Sequence, residues 1–153
     1  LHYADKTLQA DRDVVLAAVS QSGQAIASAD EALRADKEVA LAAVDRDGQA
    51  LKYAGEGLRS DRDVVMAAVR QCGLALEYAD AVLRADHEVV TAAVHQRGRA
   101  FDFASEELQC DVSFVGSLIA NLPASILETI LALKVTALSG RSCFCLAHQD
   151  EDE

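Results

Sequence analysis

Asp61–Asp86 reads DRDVVMAAVRQCGLALEYADAVLRAD, and its last residue opens another stretch of the same kind, DHEVVTAAVHQRG. Within the quoted segment an Asp precedes an apolar series at 64, 65, 68, 69 and 72, and then comes Gly73. Apolar residues three and four apart share one face of a helix, whereas a strand needs a period of two. Asp61 has the chemistry of an N-cap, since its carboxylate can accept from amides that the first turn leaves unpaired. Gly73 stands where a left-handed residue often closes a helix. Leu74 to about Arg84 then reads as a second, shorter helix, with Leu76, Tyr78, Ala79 and Leu83 on one side.

Moving outward in either direction, the pattern returns every 25 residues without an insertion, as units 1–25, 26–50, 51–75, 76–100 and 101–125. Ala recurs at 4, 29, 54, 79 and 104, Leu at 8, 33, 58, 83 and 108, and Asp at 11, 36, 61, 86 and 111. Gly23, Gly48, Gly73 and Gly98 form a further column, which Pro123 interrupts. One short helical pair cannot bury its own apolar face, but a stack of such pairs shares a continuous core. The expected fold is therefore all-α: an α-solenoid of 25-residue helix-turn-helix repeats occupying 1–140. Asp11, Asp36, Asp61, Asp86 and Asp111 are its expected N-caps, and Gly23, Gly48, Gly73 and Gly98 the expected closing residues. Arg34, Arg59 and Arg84, two residues before their caps, are expected to bond to those carboxylates or to neighbouring units.

The fifth unit, 101–125, is degenerate, with Val112 and Leu118 among the residues that replace the usual charges and alanines. The segment 124–138 is expected to form a C-terminal capping helix with a broad apolar face. Its residues Ile126, Leu127, Ile130, Leu131 and Leu133 are the expected partner-binding surface. No direct transmembrane span is expected there, because Glu128 and Lys134 interrupt a short apolar run. Residues 141–153 form an acidic tail expected to be disordered. The first unit begins within its short second helix, so either the natural protein is expected to continue upstream or a partner is expected to cover this face.

Composition narrows the functional classes. Of the 153 residues 51% are hydrophobic but only 5% aromatic, which suits closely packed alanine-rich helices. A net charge of -11 works against nucleic acid or anionic lipid, because affinity for phosphates comes from clustered Lys and Arg. Four cysteines at irregular spacing make no disulfide scaffold, so an intracellular, reducing compartment is expected.

Motifs that carry chemistry are sparse. Cys143, Cys145 and His148 supply three soft donors, a weak candidate for zinc or copper, but no second cluster stands at structural-zinc spacing. The aromatic series Tyr3, Tyr53, Tyr78 and Phe103, broken by Ser28, reads as core with the tyrosine hydroxyls at the rim. His2, His87, His95 and His148 fall in no common column, and no phosphate-binding loop or nucleophile elbow occurs. No cofactor and no catalytic residue are expected.

The stretches LKYAGEGLRSDRDVVMAAVRQCGLA and LEYADAVLRADHEVVTAAVHQRGRA resemble the family known as domain of unknown function 4116. The resemblance covers residues 1 to about 111 and implies an intracellular helical repeat module with no catalytic residues.

Repeat positions 2, 6, 7, 12, 20, 22 and 24 vary most and are expected to face solvent. In the fourth unit these are Glu77, Ala81, Val82, His87, His95, Arg97 and Arg99. A constant interior with a varied exterior points to a non-catalytic scaffold or structural subunit whose partners are other protein subunits. Two alternatives stand beside it. One is a regulatory module of a longer multidomain enzyme or effector whose activity lies elsewhere; the other is a metal- or redox-active Cys-x-Cys tail.

Overall fold

The computed structural model describes residues 5–123 and 126. Among them are α- and 3₁₀-helices and no strand. Each repeat carries one ten-residue helix: α2 Arg12–Gln21, α4 Lys37–Arg46, α6 Arg62–Gln71, α8 His87–Gln96 and α10 Val112–Asn121. Each is preceded by a helix of a single turn: α1 Lys6–Gln9, α3 Glu31–Arg34, α5 Glu56–Arg59, α7 Ala81–Arg84 and α9 Glu106–Cys110. The third element is a 3₁₀ helix: η1 Gly23–Ser28, η2 Gly48–Tyr53, η3 Gly73–Tyr78 and η4 Gly98–Phe103.

The all-α repeat fold is as expected, but the second helix of each unit is not one piece. It is a 3₁₀ segment and a single α turn, parted by two extended residues. In the quoted unit these are Ala79, at φ -71° and ψ 153°, and Asp80, at φ -61° and ψ 154°. The break frees the second residue's amide to leave the local helix. Asp80 N donates to Arg59 O at 3.0 Å, one repeat back. The same rung joins Asp30 N to Gln9 O at 3.0 Å, Gly55 N to Arg34 O at 2.9 Å and Ser105 N to Arg84 O at 2.9 Å. A continuous helix would have spent those amides internally.

The long helices α2, α4, α6 and α8 pack successively on one another, as do successive 3₁₀ segments, and α4, α6 and α8 each also pack against the 3₁₀ segment of the preceding unit. The columns that close this core are the ones that repeat. Val64, Val65, Ala68, Val69, Ala75 and Leu76 are fully buried, as are their counterparts Val89, Val90, Ala93, Val94 and Ala100. No polar or charged residue is buried among the described residues, so the core is sealed by small apolar side chains alone.

The glycine column has a different physical reason from the one its position implies. None of these glycines has positive φ. The long helix α6 is closed by Cys72 in an extended conformation, φ -145°, and Gly73 begins η3. What requires glycine is proximity. A Cβ at Gly23 would lie 2.5 Å from Ala43 O, at Gly48 2.4 Å from Ala68 O, and at Gly73 2.3 Å from Ala93 O. Each contact is with backbone of the next unit's long helix. Gly23, Gly48 and Gly73 thus set the distance between repeats. Gly98 is likewise buried at the start of η4.

The fifth unit keeps the pattern through α10, where Phe114, Val115 and Leu118 are buried. Ile126 is half-buried against the core, and its amide donates to Pro123 O at 2.9 Å. The rest of the expected capping helix, including Leu127, Ile130, Leu131 and Leu133, lies outside the described residues, as does the acidic tail.

Candidate functional site

The most ordered polar feature is the aspartate column, and its two oxygens do different work. One oxygen caps. Asp61 Oδ1 accepts from Asp63 N at 2.9 Å and Val64 N at 3.3 Å. Asp11, Asp36, Asp86 and Asp111 accept from the equivalent amide pairs of their own helices, as the sequence predicts. In Asp36, Asp61 and Asp86 the other oxygen faces the preceding repeat, and at Asp61 Lys37 Nζ also reaches the capping Oδ1, at 3.1 Å. Lys37 Nζ lies 2.8 Å from Asp61 Oδ2 and 2.9 Å from Asp63 Oδ2. Arg12 Nε lies 3.5 Å from Asp36 Oδ2 while its Nη2 meets Glu38. Arg62 repeats this geometry, with Nε 3.5 Å from Asp86 Oδ2 and Nη2 on Glu88.

Arg12, Lys37 and Arg62 were expected only to vary and face solvent. They are exposed, yet each is committed to two carboxylates one repeat further on. The column continues to His87, whose ring stands edge-on to Phe114 at 4.8 Å between centroids. It ends at Val112, an exposed apolar residue. Counting identical residues hides this series. Counting charge exposes it, since a cation at 12, 37 and 62 always has an acid 24 and 26 residues later.

The pairing is visible in the titration of the groups. The Lys37 ammonium holds the Asp61 carboxyl below the usual value of 3.8, assisted by the amides of Val64 and Asp63. At Asp36 the amide of Val39 is the largest lowering influence, with Arg12 adding to it. Burial opposes ionisation of Asp86, and the Val89 and Glu88 amides with Arg62 outweigh it. The Ser113 hydroxyl dominates at Asp111, which is also lowered. The cations respond in the opposite sense. Glu38 raises Arg12, Asp61 raises Lys37 and Glu88 raises Arg62.

A further brace uses glutamine. Gln71 Nε2 donates to Asp45 O at 2.9 Å, and Gln96 Nε2 to Arg70 O at 2.7 Å. Each reaches back to the carbonyl of the previous long helix. Charge, amide and backbone rungs therefore run side by side along the stack.

The second cation column, Arg34, Arg59 and Arg84, behaves otherwise. None of these side chains pairs with a cap carboxylate, and the expected link to neighbouring units is made by their backbone instead. Their carbonyls make the inter-repeat rungs already described. Their Nε atoms are buried and meet no acceptor among the described residues. A buried donor left unmatched costs about 1–3 kcal/mol, so three in register are unusual. Arg59 has only Glu56, 3.5 Å away on its own turn.

Between the third and fourth units Arg59 and Arg84 open onto a groove of about 600 Å³. Glu56, Arg59, Tyr78, Asp80 and Arg84 are among its lining residues. Tyr53 and Tyr78 are half-buried at the edge of the core, and Lys52 Nζ lies 5.9 Å from both ring centroids. This agrees with the expected placement of the aromatic series.

Among the described residues no group of three or more His, Cys, Asp or Glu could hold a metal ion. Cys143, Cys145 and His148 lie outside those residues. Cys72 is half-buried and Cys110 exposed. Among the described residues no helix is long and apolar enough to cross a membrane.

Comparison with known proteins adds one match. The model of a domain of unknown function, DUF4116, matches residues 1–34, 36–84 and 72–109. No curated protein and no solved structure matches the chain with significance.

Proposed function

The chain belongs to the DUF4116 family, and from that premise we propose that it is a non-catalytic scaffold that holds other protein subunits. The observation that carries this reading is the division of labour between columns. In the unit 76–100 the residues that differ from copy to copy, Glu77, Ala81, Val82, His87, His95, Arg97 and Arg99, are all exposed. The recurrent ones are consumed by core, caps and braces. A surface that varies over a frame that does not is what recognition of partners by a repeat protein requires.

The aspartates of the repeated column are tied to caps and ion pairs, which leaves them poorly placed to act as acid or base. This supports a structural or accessory role over catalysis. The test is affinity purification of the full chain from its native lysate, alongside a variant with His95, Arg97 and Arg99 changed to Ser. Stoichiometric co-purifying subunits, lost in the variant while its helical circular dichroism is unchanged, are the expected result. A monomeric chain that retains no partner, or partners indifferent to the variant, would sink the reading. Deleting residues 124–153 in parallel tests the apolar segment as a second contact.

A further inference from the structure

The protein carries two columns of cations in the same repeat, and they are in opposite states. Arg12, Lys37 and Arg62 are saturated, each by two carboxylates of the next unit. Arg34, Arg59 and Arg84 are not. Three Nε donors are sealed from solvent without an acceptor among the described residues. The Arg59 side chain as a whole is 35% exposed, so its inner donor is fixed while the remainder stays accessible. A buried stem of this kind aims the guanidinium instead of leaving it to wander.

Register places these side chains in a line. Each ends a one-turn helix whose last carbonyl is bonded to the next unit, so the three backbones are held in a fixed relation. Arg59 and Arg84 line one groove. Tyr78 lies between them in sequence and shares that groove, and Lys52 adds a cation within 5.9 Å of its ring.

We propose that the Arg34–Arg59–Arg84 row binds an extended peptide of a partner protein that presents carboxylates one repeat apart. The proposal rests on the scaffold reading and gives the partner its chemistry. A guanidinium fork matches a planar carboxylate with two parallel hydrogen bonds. Packed helices stand about 8–10 Å apart, and an extended chain advances about 3.3 Å per residue. Acidic side chains at every third position of such a chain therefore keep pace with the row.

The groove itself selects against denser anions. Glu56 and Asp80 line it beside the arginines, and the chain bears a net charge of -11. A polyphosphate or nucleic acid would set its closely spaced charges against those carboxylates. A peptide spaces its acids and offers amide donors between them. The Glu56–Arg59 contact is long, and Glu56 is almost fully exposed, so an incoming carboxylate displaces it at little cost.

The test is fluorescence anisotropy on the full chain with a labelled twelve-residue peptide of Glu-Ser-Gly repeats and its Gln-Ser-Gly counterpart. Saturable binding of the Glu peptide, weakened about tenfold or more by the Gln exchange, is expected. The double variant Arg59→Gln/Arg84→Gln should lose as much, and Arg59→Lys/Arg84→Lys should regain only part, because charge without the fork is insufficient. Arg12→Gln/Arg62→Gln should leave binding unchanged. Circular dichroism establishes that each variant is folded. No saturable binding, equal binding of the Gln peptide, or indifference to the Arg59/Arg84 change overturns the proposal. So does inorganic polyphosphate binding through the same arginines more tightly than the Glu peptide. If these arms fail while co-purifying subunits persist, the scaffold reading stands and the arginine row alone is wrong.

Discussion

Gly48 lies against Ala68 so closely that a Cβ on the glycine would sit 2.4 Å from the alanine's carbonyl oxygen. The obstacle is backbone of the next long helix, not the far end of a flexible side chain. Gly48→Ala must therefore push two repeats apart. A loss of about 3 kcal/mol or more is expected, at the upper end of overpacking penalties. Gly57→Ala is the matched control, with nothing within 4 Å of the added methyl. Gly57 lies within α5, so relief of backbone entropy should give a gain of up to about 1 kcal/mol. Urea unfolding of the two variants checks the pair, and similar losses at both sites would refute the close-approach explanation.

Asp61 serves as cap and as bridge, and the two roles separate by substitution. Asp61→Ala removes both, and the cap alone accounts for about 1 kcal/mol. Asp61→Asn keeps an oxygen for the Asp63 and Val64 amides but gives up the attraction to Lys37. The asparagine variant should therefore recover most of the loss at high ionic strength, where exposed pairs are screened. Melting curves at low and high salt measure this, and equal deficits for both variants at high salt would remove the cap from the account.

The titration shifts fix a stability window. Asp36, Asp61, Asp86 and Asp111 all titrate below 3.8 in the fold, so folding favours their ionised forms. Their contribution is complete above 3.8 and is lost as pH falls through the lowered values. Lys37 moves the other way, raised from 10.5, so its contribution is complete below that value and is lost as pH rises through the raised one. The expected melting temperature is nearly level from about pH 5 to 9 and drops below about pH 4. Asp61→Asn should soften the acid limb. An acid limb identical to wild type would show that this carboxyl carries none of it.

Leu76 and Val82 occupy the same repeat and should respond very differently. Leu76 is fully buried, whereas Val82 is 76% exposed. Leu76→Ala leaves a cavity among fixed helices and is expected to cost about 2–5 kcal/mol. Val82→Ser should stay within about 0.5 kcal/mol of wild type. Denaturant midpoints decide this, and a mild Leu76→Ala would mean that the core can collapse around the deletion.

Legibility in the sequence followed the physics of each feature. Val64, Val65, Ala68 and Val69 were readable because burial demands an apolar residue at that position in every copy. The Asp61 cap was readable because few side chains can satisfy amides in a first turn. Gly73 could be located but not explained, since a left-handed closure and a close approach both select glycine. The sign of its φ and the distance to Ala93 distinguish them. The split at Ala79 was hidden because alanine suits a helix, and its extended backbone follows from the bond between Asp80 and the neighbouring unit. Arg12, Lys37 and Arg62 were overlooked because a cation site tolerates any cation. The groove between Arg59 and Arg84 depends on the placement of two units, which one unit's residues do not encode.

The rungs from Asp30 to Gln9, Gly55 to Arg34, Asp80 to Arg59 and Ser105 to Arg84 also determine how the chain bears load. Each clasps only adjacent units, so tension applied to the ends is not shared among them. It peels the outermost rung first and passes to the next, as a zip fastener opens. Each freed unit of 25 residues extends to a contour of about 85 Å. The protein should therefore behave under strain as an extensible tether that lengthens in equal steps and takes up its slack again unit by unit.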